Sequence, residues 1–200
     1  MSVKERRARH HAELERLIFA TAGELLEQSG TRGVSLRAVA EHIEYSPAAI
    51  YHYFAKKNDL LRALAAEGFR RLATALTRPS SMSPSAPLLQ LREFFWRYYV
   101  FSKTHPAYYE LMFLDASYQP ASSSDHLPTM GREADQADAL IRRCTDSGLM
   151  SAAEPAEASL TLWTAVHGAA VMALRKRLPA ATDPDRLVAE LLDVVLAGLR

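Results

Sequence analysis

SLRAVAEHIEYSPAAIYHYFAKK, residues Ser35–Lys57, contains two short helix-forming segments separated by a turn. Ser35 is a suitable N-cap, because its hydroxyl can accept a hydrogen bond from a free backbone N–H of the first turn. The apolar residues that follow recur at the spacing of one helix face, and they are Leu36, Val39, Ala40 and Ile43. Ser46-Pro47 predicts a second helix start, because a capping serine precedes a proline where no backbone donor is needed. The stretch therefore predicts two short helices joined by a tight turn.

The second of these segments has the residue types expected of a helix that approaches DNA. Its small residues Ala48 and Ala49 allow its backbone to enter a major groove about 12 Å wide. Lys56 and Lys57 follow at once, where their ammonium groups can contact a phosphate. Spacing alone leaves two interpretations open, a helix-turn-helix DNA-binding element or an ordinary helical hairpin in an all-helical protein.

The same stretch resembles the helix-turn-helix segment of the TetR (tetracycline-repressor-like) family of transcriptional regulators. In that family an alanine-containing helix and a turn precede Ser, small residues, an aliphatic residue, Tyr, a variable residue, an aromatic residue, Phe and Lys. The matching positions are Ala40, Ser46, Ala48, Ala49, Ile50, Tyr51, Tyr53, Phe54 and Lys57. Glu44-Tyr45 stands where the family usually has Gly-Val. A glycine there suits positive φ, so we expect backbone strain at Glu44 or another turn geometry, and a carboxylate that weakens DNA binding.

The resemblance implies a homodimer that binds a palindromic operator, with the segment from Pro47 to Tyr53 entering the major groove once per half-site. The DNA contacts it implies are Arg37, Ser46, Pro47, Ala48, Ala49, Tyr51, His52, Tyr53 and Lys57. We expect Ser46, Tyr51 and Lys57 to hold phosphates, whereas Ala48, Ala49 and His52 lie nearer to base edges. It also implies that a small-molecule effector releases the DNA, with repression as the usual mode and the helix from Asn58 as the transmitter.

Composition and charge fit a DNA-binding head on a second domain. The 200 residues are 48% hydrophobic and 24% charged, which is ordinary for a globular protein, and the net charge is only +1. Residues 1–78 hold thirteen Lys and Arg against nine Asp and Glu, whereas residues 79–200 hold eleven against fourteen. We expect a helix-turn-helix domain at 1–57, a connecting helix at 58–77, and a ligand-binding and dimerisation domain at 78–200. The Pro/Ser-rich stretch at 78–87 marks the boundary.

Helical periodicity along the rest of the chain predicts an all-α protein of about nine helices. Beyond the two short helices, we expect helices near 10–28, 58–77, 88–104, 106–114, 129–147, 158–177 and 183–200, with a loop at 116–128. The buried stripe of the first helix is expected to comprise Leu14, Leu17, Ile18, Thr21 and Leu25. The basic residues 2–11 are either a solvated terminus or an arm that contacts DNA.

Aromatic residues are concentrated between positions 94 and 113. Most of these rings must pack in the core, but an apolar pocket lined by rings with a few polar tips is also how small-molecule sites are built. The resemblance favours such a pocket for an apolar or aromatic effector. Its expected lining is Phe95, Trp96, Tyr99, Tyr109, Phe113, Trp163 and His167.

The last two predicted helices have more apolar surface than one buried face requires. This surplus predicts a homodimer interface in which two chains form a four-helix bundle, and the alternative is the core of a monomer. The expected interface residues are Val171, Leu174, Leu187, Leu191, Val194 and Val195. The segment LWTAVHGAAVMAL also resembles the Trp-x-x-x-His-Gly motif of one TetR branch, with Trp163, His167 and Gly168 as the matching residues.

Other function classes find little support in the sequence. Neither Glu-x-x-His nor His-x-x-x-His occurs, so the motif of a helical metal bundle is lacking, and no P-loop or nucleophile elbow is present. We therefore expect no enzyme, no cofactor and no metal. A single cysteine, Cys144, and the lack of a signal peptide or membrane span predict a cytoplasmic protein that does not bind membranes. The remaining alternative is a helical adaptor whose helix-turn-helix is structural.

Overall fold

A computed structural model describes residues 3–77, 86–115, 131–151 and 154–200 of the chain. Within these ranges every regular element is an α-helix, which confirms the predicted all-α fold. The nine helices described are α1 (Val3–Gly33), α2 (Leu36–His42), α3 (Pro47–Tyr51), α4 (Lys57–Thr77), α5 (Pro87–Thr104), α6 (Pro106–Phe113), α7 (Gly131–Asp146), α8 (Pro155–Leu174) and α9 (Pro184–Gly198). No helix among these residues is both long and apolar enough to cross a membrane.

The helices are distributed over two compact units. The first consists of Met1–Gly68 and Ala107–His126, and the second of Phe69–Pro106 and Leu127–Arg200. In the first unit α2 packs against both α1 and α3. In the second, α5 and α8 pack against each other, and each of them also contacts α7 and α9. The predicted division into functional domains at 57 and 78 stays a prediction, and the predicted linker up to position 85 and loop 116–128 lie outside the described residues.

The start of each helix-turn-helix segment is fixed by the predicted cap. The Ser35 hydroxyl accepts from the Ala38 N–H at 3.0 Å, and the Ser46 hydroxyl accepts from the Ala49 N–H at 3.3 Å. Pro47 occupies the first helical position of α3. The predicted inward residues of α2 and α3 are buried, and they are Leu36, Val39, Ala40, Ile43 and Ile50. The hairpin predicted from this stretch is therefore present with its predicted core.

Three local predictions in the first unit are wrong. Helix α1 begins at Val3 rather than near His10, because no proline or glycine interrupts residues 3–22, whereas the non-helical Gly30, with φ 62°, interrupts it close to its predicted end. Leu17 is 43% exposed, since it lies about 100° around the helix from the fully buried Ile18. Helix α3 ends at Tyr51, two residues before the predicted end at Tyr53. The Ile50 carbonyl accepts hydrogen bonds from the turn N–H groups of Tyr53 and Phe54, and this closes the helix.

Three helices end in the same backbone motif, in which the residue after the C-cap has a positive φ. These residues are Glu44 after α2, Gly148 after α7 and Lys176 after α8, with φ values of 58°, 69° and 52°. In each case two N–H groups bond back to the last turn, in the pairs Glu44–Glu41, Tyr45–Ala40, Gly148–Thr145, Leu149–Cys144, Lys176–Ala173 and Arg177–Met172. This is the Schellman motif, whose left-handed residue is usually glycine. Of the two alternatives left open for Glu44, a strained positive φ or another turn geometry, the structure has the positive φ.

The second unit is built on the apolar faces of α5 and α8. Helix α8 begins at Pro155 rather than near Ala158, with proline at its first position, and it ends at Leu174. Helix α9 is capped by Asp183, whose carboxylate accepts from the Asp185 N–H at 3.0 Å. An ion pair between Arg92 and Asp193 at 2.6 Å joins α5 to α9. Helices α5, α8 and α9 also pack pairwise against one another.

Candidate DNA-binding surface and effector site

The short helix α3 presents small and polar side chains on an exposed face. Pro47, Ala48, Tyr51 and His52 are exposed, and Tyr51 retains 55% of its accessible surface. Ile50 is fully buried and fixes the helix on the unit beneath it. An exposed small-residue face over a buried anchor is suited to approach a groove closely. The structure thus brings the predicted residues 46–52 together on one surface.

The three remaining predicted DNA contacts differ in their surroundings. Arg37 is exposed on α2 and has no ion-pair partner among the residues that the structure describes. The Lys57 ammonium donates to the Thr31 carbonyl at 2.7 Å. The Tyr53 hydroxyl donates to the His11 carbonyl at 3.4 Å, and its ring lies 4.5 Å from the His11 imidazole. Arg37 is therefore the least constrained of these three side chains, whereas Lys57 and Tyr53 are held against α1.

The electrostatics of this surface are set by a few groups. Glu44 is exposed in the turn between α2 and α3, where it places a negative charge beside the predicted phosphate contacts. Desolvation is the largest cause that raises the pKa of the Tyr53 hydroxyl, and the Glu15 carboxylate raises it further. Tyr53 is therefore a neutral hydrogen-bond donor at physiological pH. The basic residues 4–11 form the first turns of α1, so the predicted arm is helical in this structure.

Helix α6 packs directly on the backbone of two helices in the first unit. A Cβ placed on Gly68 of α4 would lie 2.5 Å from the Met112 sulfur, and one placed on Gly23 of α1 would lie 2.7 Å from the Tyr108 hydroxyl. A Cβ at either position would push the end of the Tyr108 or Met112 side chain aside, so the glycines let these two α6 side chains lie against the helix backbone. Two side chains of α6 thus contact the backbone of two helices of the first unit.

The end of α6 is also connected to the DNA-binding surface by hydrogen bonds. The Thr31 hydroxyl donates to the Asp115 carboxylate, and the Thr31 carbonyl accepts from the Lys57 ammonium. All three residues belong to the first unit. One residue at the end of α1 therefore joins the segment after α6 to a predicted phosphate ligand.

The second unit contains a cluster of aromatic rings around Trp163. The ring centroids of Phe94, Phe95 and Tyr98 lie 5.9, 4.9 and 4.6 Å from that of Trp163, all in edge-on arrangements. Trp163 is 6% exposed. Such a cluster gives a site with apolar walls of fixed geometry. Phe95 and Trp163, both predicted for the pocket, are therefore neighbours.

Polar atoms lie at the edge of this ring cluster. Tyr98 Oη and His167 Nδ1 form a hydrogen bond of 2.8 Å, and desolvation by burial lowers the pKa of His167. The hydroxyl of Ser159 and the indole N–H of Trp163 are buried without a hydrogen-bond partner in the described part of the chain. Ser159, Trp163 and His167 are spaced at four residues along α8, so they follow one helix face. His167, the third predicted member, thus belongs to the same cluster.

The other predicted pocket residues lie elsewhere. The ring centroids of Trp96 and Tyr99 lie 5.4 Å apart. The Tyr99 hydroxyl donates to the Asp185 carboxylate at 2.6 Å. Tyr99 lines an open cleft of about 330 Å³ in the second unit, together with Ser102, Lys103, Ala173, Leu174, Asp183, Pro184 and Asp185. Tyr109 and Phe113 belong to the first unit, where their rings lie 4.9 Å apart. Of the five predicted residues in the second unit, three belong to the Trp163 cluster, and Trp96 and Tyr99 form a separate ring pair.

Two of the three charged side chains of the open cleft form an ion pair, and the third, Asp183, caps α9. Lys103 contacts both carboxylate oxygens of Asp185, at 2.5 and 2.7 Å. The hydrogen bond from Lys103 is the largest cause that lowers the pKa of Asp185, followed by the one from Tyr99. Desolvation, more than the Asp185 partner, raises the pKa of Tyr99. Within the described residues, no group of three or more His, Cys, Asp or Glu is placed to hold a metal ion.

The surface of α8 and α9 exposes apolar residues that the second unit does not cover. Leu160, Met172 and Val194 retain 66%, 46% and 70% of their accessible surface. On α8, Leu160, Thr164, Gly168 and Met172 form one exposed stripe at four-residue spacing, and a Cβ on Gly168 would meet no atom within 4 Å. Of the predicted interface residues, Val194 is exposed, whereas Val171, Leu174, Leu187, Leu191 and Val195 are half-buried.

Sequence reasoning missed several residues of these sites. Tyr98 and Ser159 complete the Trp163 cluster, and Lys103 and Asp185 complete the open cleft. The signal for Ser159 was its position one helical turn before Trp163 on the same face of α8. The pairing of Lys103 with Asp185 joins residues 82 positions apart, which spacing along the chain does not reveal.

Two family models match this chain. Residues 18–64 match the bacterial regulatory proteins of the tetR family, and residues 91–195 match the tetracyclin repressor-like C-terminal domain. The chain belongs to the TetR family. It is therefore a DNA-binding transcriptional regulator by family, and the match to residues 18–64 covers α2, α3 and the start of α4.

Solved structures of TetR-like proteins share the fold. A protein of unknown function from Rhodococcus sp. RHA1 is 26% identical, with a TM-score of 0.81 over 93% of this chain and 95% of its own. The TetR family transcriptional regulator PfmR from Thermus thermophilus is 20% identical, with a TM-score of 0.66 over 92% and 98%. A TetR variant from Acinetobacter baumannii AYE, in complex with minocycline, is 18% identical, with a TM-score of 0.60 over 90% and 93%. Among the curated proteins, none matches the chain.

Proposed function

We propose that this TetR-family chain is a repressor that binds a palindromic operator as a homodimer and is released by a small apolar or aromatic effector. The observation that carries the proposal is the exposed face of α3, over the buried anchor Ile50 and beside the exposed cation Arg37. Of the five residues of α3 only Ile50 is buried, so most of the helix surface is open to a partner. Its exposed Ala48, Tyr51 and His52 instead suit contacts with groove edges and phosphates.

The homodimer is supported by the exposed stripe of α8 and by Val194 of α9. Exposed Leu160, Met172 and Val194 indicate an apolar surface that association would remove from water. Gly168 has open space beside it within its own chain, so its lack of a side chain suits the close approach of another helix. A two-fold axis through these helices would give two copies of α3 for the two half-sites.

The effector is proposed to bind in the second unit, at the ring cluster of Trp163. The TetR variant from Acinetobacter baumannii AYE binds minocycline in the same fold, which supports a small-molecule role for this domain. Effector binding releases DNA only if the ligand prefers the conformation that does not bind DNA. On this proposal residues 1–57 bind DNA, helix 58–77 connects, and residues 78–200 bind the effector and dimerise.

The effect of effector binding on DNA binding is proposed to be transmitted through both α4 and α6. Helix α4 holds residues of both units in one continuous helix, and α6 is seated on Gly23 and Gly68 of the first unit. The Thr31 link from Asp115 to Lys57 gives α6 a direct connection to a phosphate ligand. A shift of α6 would therefore change where the Lys57 ammonium lies.

Binding of the full chain to DNA selected from genomic fragments tests the proposal. We expect Lys57→Met to weaken operator binding and to lower the slope of log K against log salt by about 2 per dimer, since each chain loses one phosphate contact. Lys176→Met removes a lysine from the second unit and serves as the matched control, with unchanged slope. A wild-type chain that shows no salt-sensitive DNA binding would support the helical adaptor instead.

A further inference from the structure

Two hydrogen-bonding side chains on α8 are buried and have no partner within the described residues. They are the hydroxyl of Ser159, a residue 3% exposed, and the indole N–H of Trp163, a residue 6% exposed. Native proteins pair the great majority of buried polar groups, because an unpaired donor loses its bonds to water without replacement. Two such donors on one helix face are available to an additional hydrogen-bond acceptor.

The two donors lie on one face of α8 in the interior of the second unit. They are four residues apart, which places their Cα atoms about 6 Å apart along the helix axis. The Trp163 ring is bordered by Phe95 and Tyr98 of α5, at 4.9 and 4.6 Å between ring centroids. Because α5, α7 and α8 pack pairwise, this face points into a shared interior, a usual place for a ligand in a helical bundle.

The chemistry of the surrounding groups restricts the ligand. Ser159, Trp163 and Tyr98 are uncharged, and burial lowers the pKa of His167, so the imidazole is neutral as well. A carboxylate would lose its hydration at this position without gaining a positive partner from these four groups. A neutral oxygen, in contrast, can accept from two donors through its two lone pairs.

We propose that Ser159 and Trp163 donate together to one neutral carbonyl oxygen of an apolar effector, as found in a ketone, ester, lactone or amide. This inference rests on the proposed function, because it specifies the chemical class that the same effector site accepts. The ring cluster then binds the apolar part of the molecule, and the two donors orient its oxygen.

The test uses the indole proton of Trp163 as a reporter in the full-length 15N-labelled chain. The chain has two tryptophans, so the variant Trp96→Phe assigns the remaining indole resonance to Trp163. The probes are acetophenone and α-methylstyrene, which have the same shape but differ in having C=O or C=CH2. We expect acetophenone to shift the Trp163 indole proton resonance downfield, because the proton enters a new hydrogen bond. α-Methylstyrene should not cause this downfield shift, because it has no oxygen to accept the bond.

Substitution of the second donor gives an independent readout. Ser159→Ala should weaken acetophenone binding about five- to tenfold and α-methylstyrene binding less than about twofold. The same variant without ligand should keep or raise Tm, because an unpaired buried hydroxyl has been removed. Thr161→Ala is the matched control, since Thr161 is exposed on α8 and bonds the Glu157 carbonyl, so it should leave both affinities unchanged.

Three results would overturn the inference. They are the absence of an indole shift with both acetophenone and cyclohexanone up to their solubility limits, an equal shift with α-methylstyrene, and a lower Tm of ligand-free Ser159→Ala. The last result would show that the hydroxyl already has a partner. None of these measurements contains DNA, so a failure of operator binding would reject the regulator function and leave this result unaffected.

Discussion

Glu44 occupies the glycine position of the Schellman motif that ends α2, and its replacement tests the geometry of the turn. At φ 58° an L-residue with a Cβ is strained by about 1–2 kcal/mol. Glycine removes this strain but gains about 0.4–1 kcal/mol of conformational freedom in the unfolded chain. We therefore expect Glu44→Gly to raise the free energy of unfolding by about 0.5–1 kcal/mol, which corresponds to a Tm increase of about 1–4 °C.

The same substitution removes a negative charge from the DNA-binding surface. In water, a unit charge about 10 Å from a phosphate contributes about 0.4 kcal/mol, and salt reduces this further. Two copies per dimer then give an operator affinity about two- to fivefold higher at low salt. Glu44→Gln separates the two effects, because it removes the charge and keeps the strained φ.

Urea and thermal unfolding, with fluorescence anisotropy on a labelled operator, provide the measurements. Glu44→Gln should tighten DNA binding as Glu44→Gly does, but leave Tm within about 1 °C of wild type. Lys176→Gly should raise Tm like Glu44→Gly, since Lys176 has φ 52° in the same motif, without tightening DNA binding. Equal Tm values for Glu44→Gly and Glu44→Gln would refute the strain argument, and a tighter complex with glycine alone would refute the charge argument.

Three further predictions concern packing, assembly and pH. Gly68→Ala should lower the free energy of unfolding by about 1 kcal/mol in urea titrations. The losses of Gly68→Ala and Met112→Ala should not add in the double variant, because both substitutions act on one contact. Strict additivity would contradict the contact between Met112 and Gly68. Gly168→Leu should keep the Tm of the isolated chain but weaken dimerisation about tenfold in sedimentation equilibrium, and an unchanged dimer would exclude Gly168 from the interface. The folded pKa of His167 lies below its usual value near 6.5, so the unfolded chain binds more protons and stability falls as pH drops below about 6.5. Wild type should therefore lose more Tm between pH 7 and 5 than His167→Gln, and parallel curves would contradict this assignment.

The helices and caps were predictable because their causes are local. Ser35 and Ser46 precede apolar periodicity, and a capping side chain acts within three residues of its own position. The strain at Glu44 was predictable for the same reason, since the turn needs positive φ whatever the rest of the chain does. The end of α3 at Tyr51 was not predicted. The Ile50 carbonyl accepts from the turn N–H groups of Tyr53 and Phe54, and the sequence does not distinguish these groups from helical ones.

The candidate site was less predictable than the fold. Phe95, Trp163 and His167 were expected together and are close, but Trp96, one residue further along α5 than Phe95, contacts Tyr99 instead. Ring content along a helix does not show which ring faces which neighbour, since that depends on how the helices cross. Ser159 lies one helical turn before Trp163 on the same face of α8, but this spacing alone does not show that its hydroxyl is buried without a partner among the residues described.

The seats of α6 on Gly23 and Gly68 have a mechanical consequence. Side chains between helices act as a soft layer, because rotamer changes absorb small displacements. At these two positions the Tyr108 hydroxyl and the Met112 sulfur meet backbone instead, so that layer is missing on one side of the contact. A displacement of α6 would therefore move the ends of Tyr108 and Met112 along the backbone of α1 and α4, and a larger residue at position 68 would push Met112 aside. Graded substitutions there would change the contact between α6 and α4 without changing any of the predicted DNA contacts.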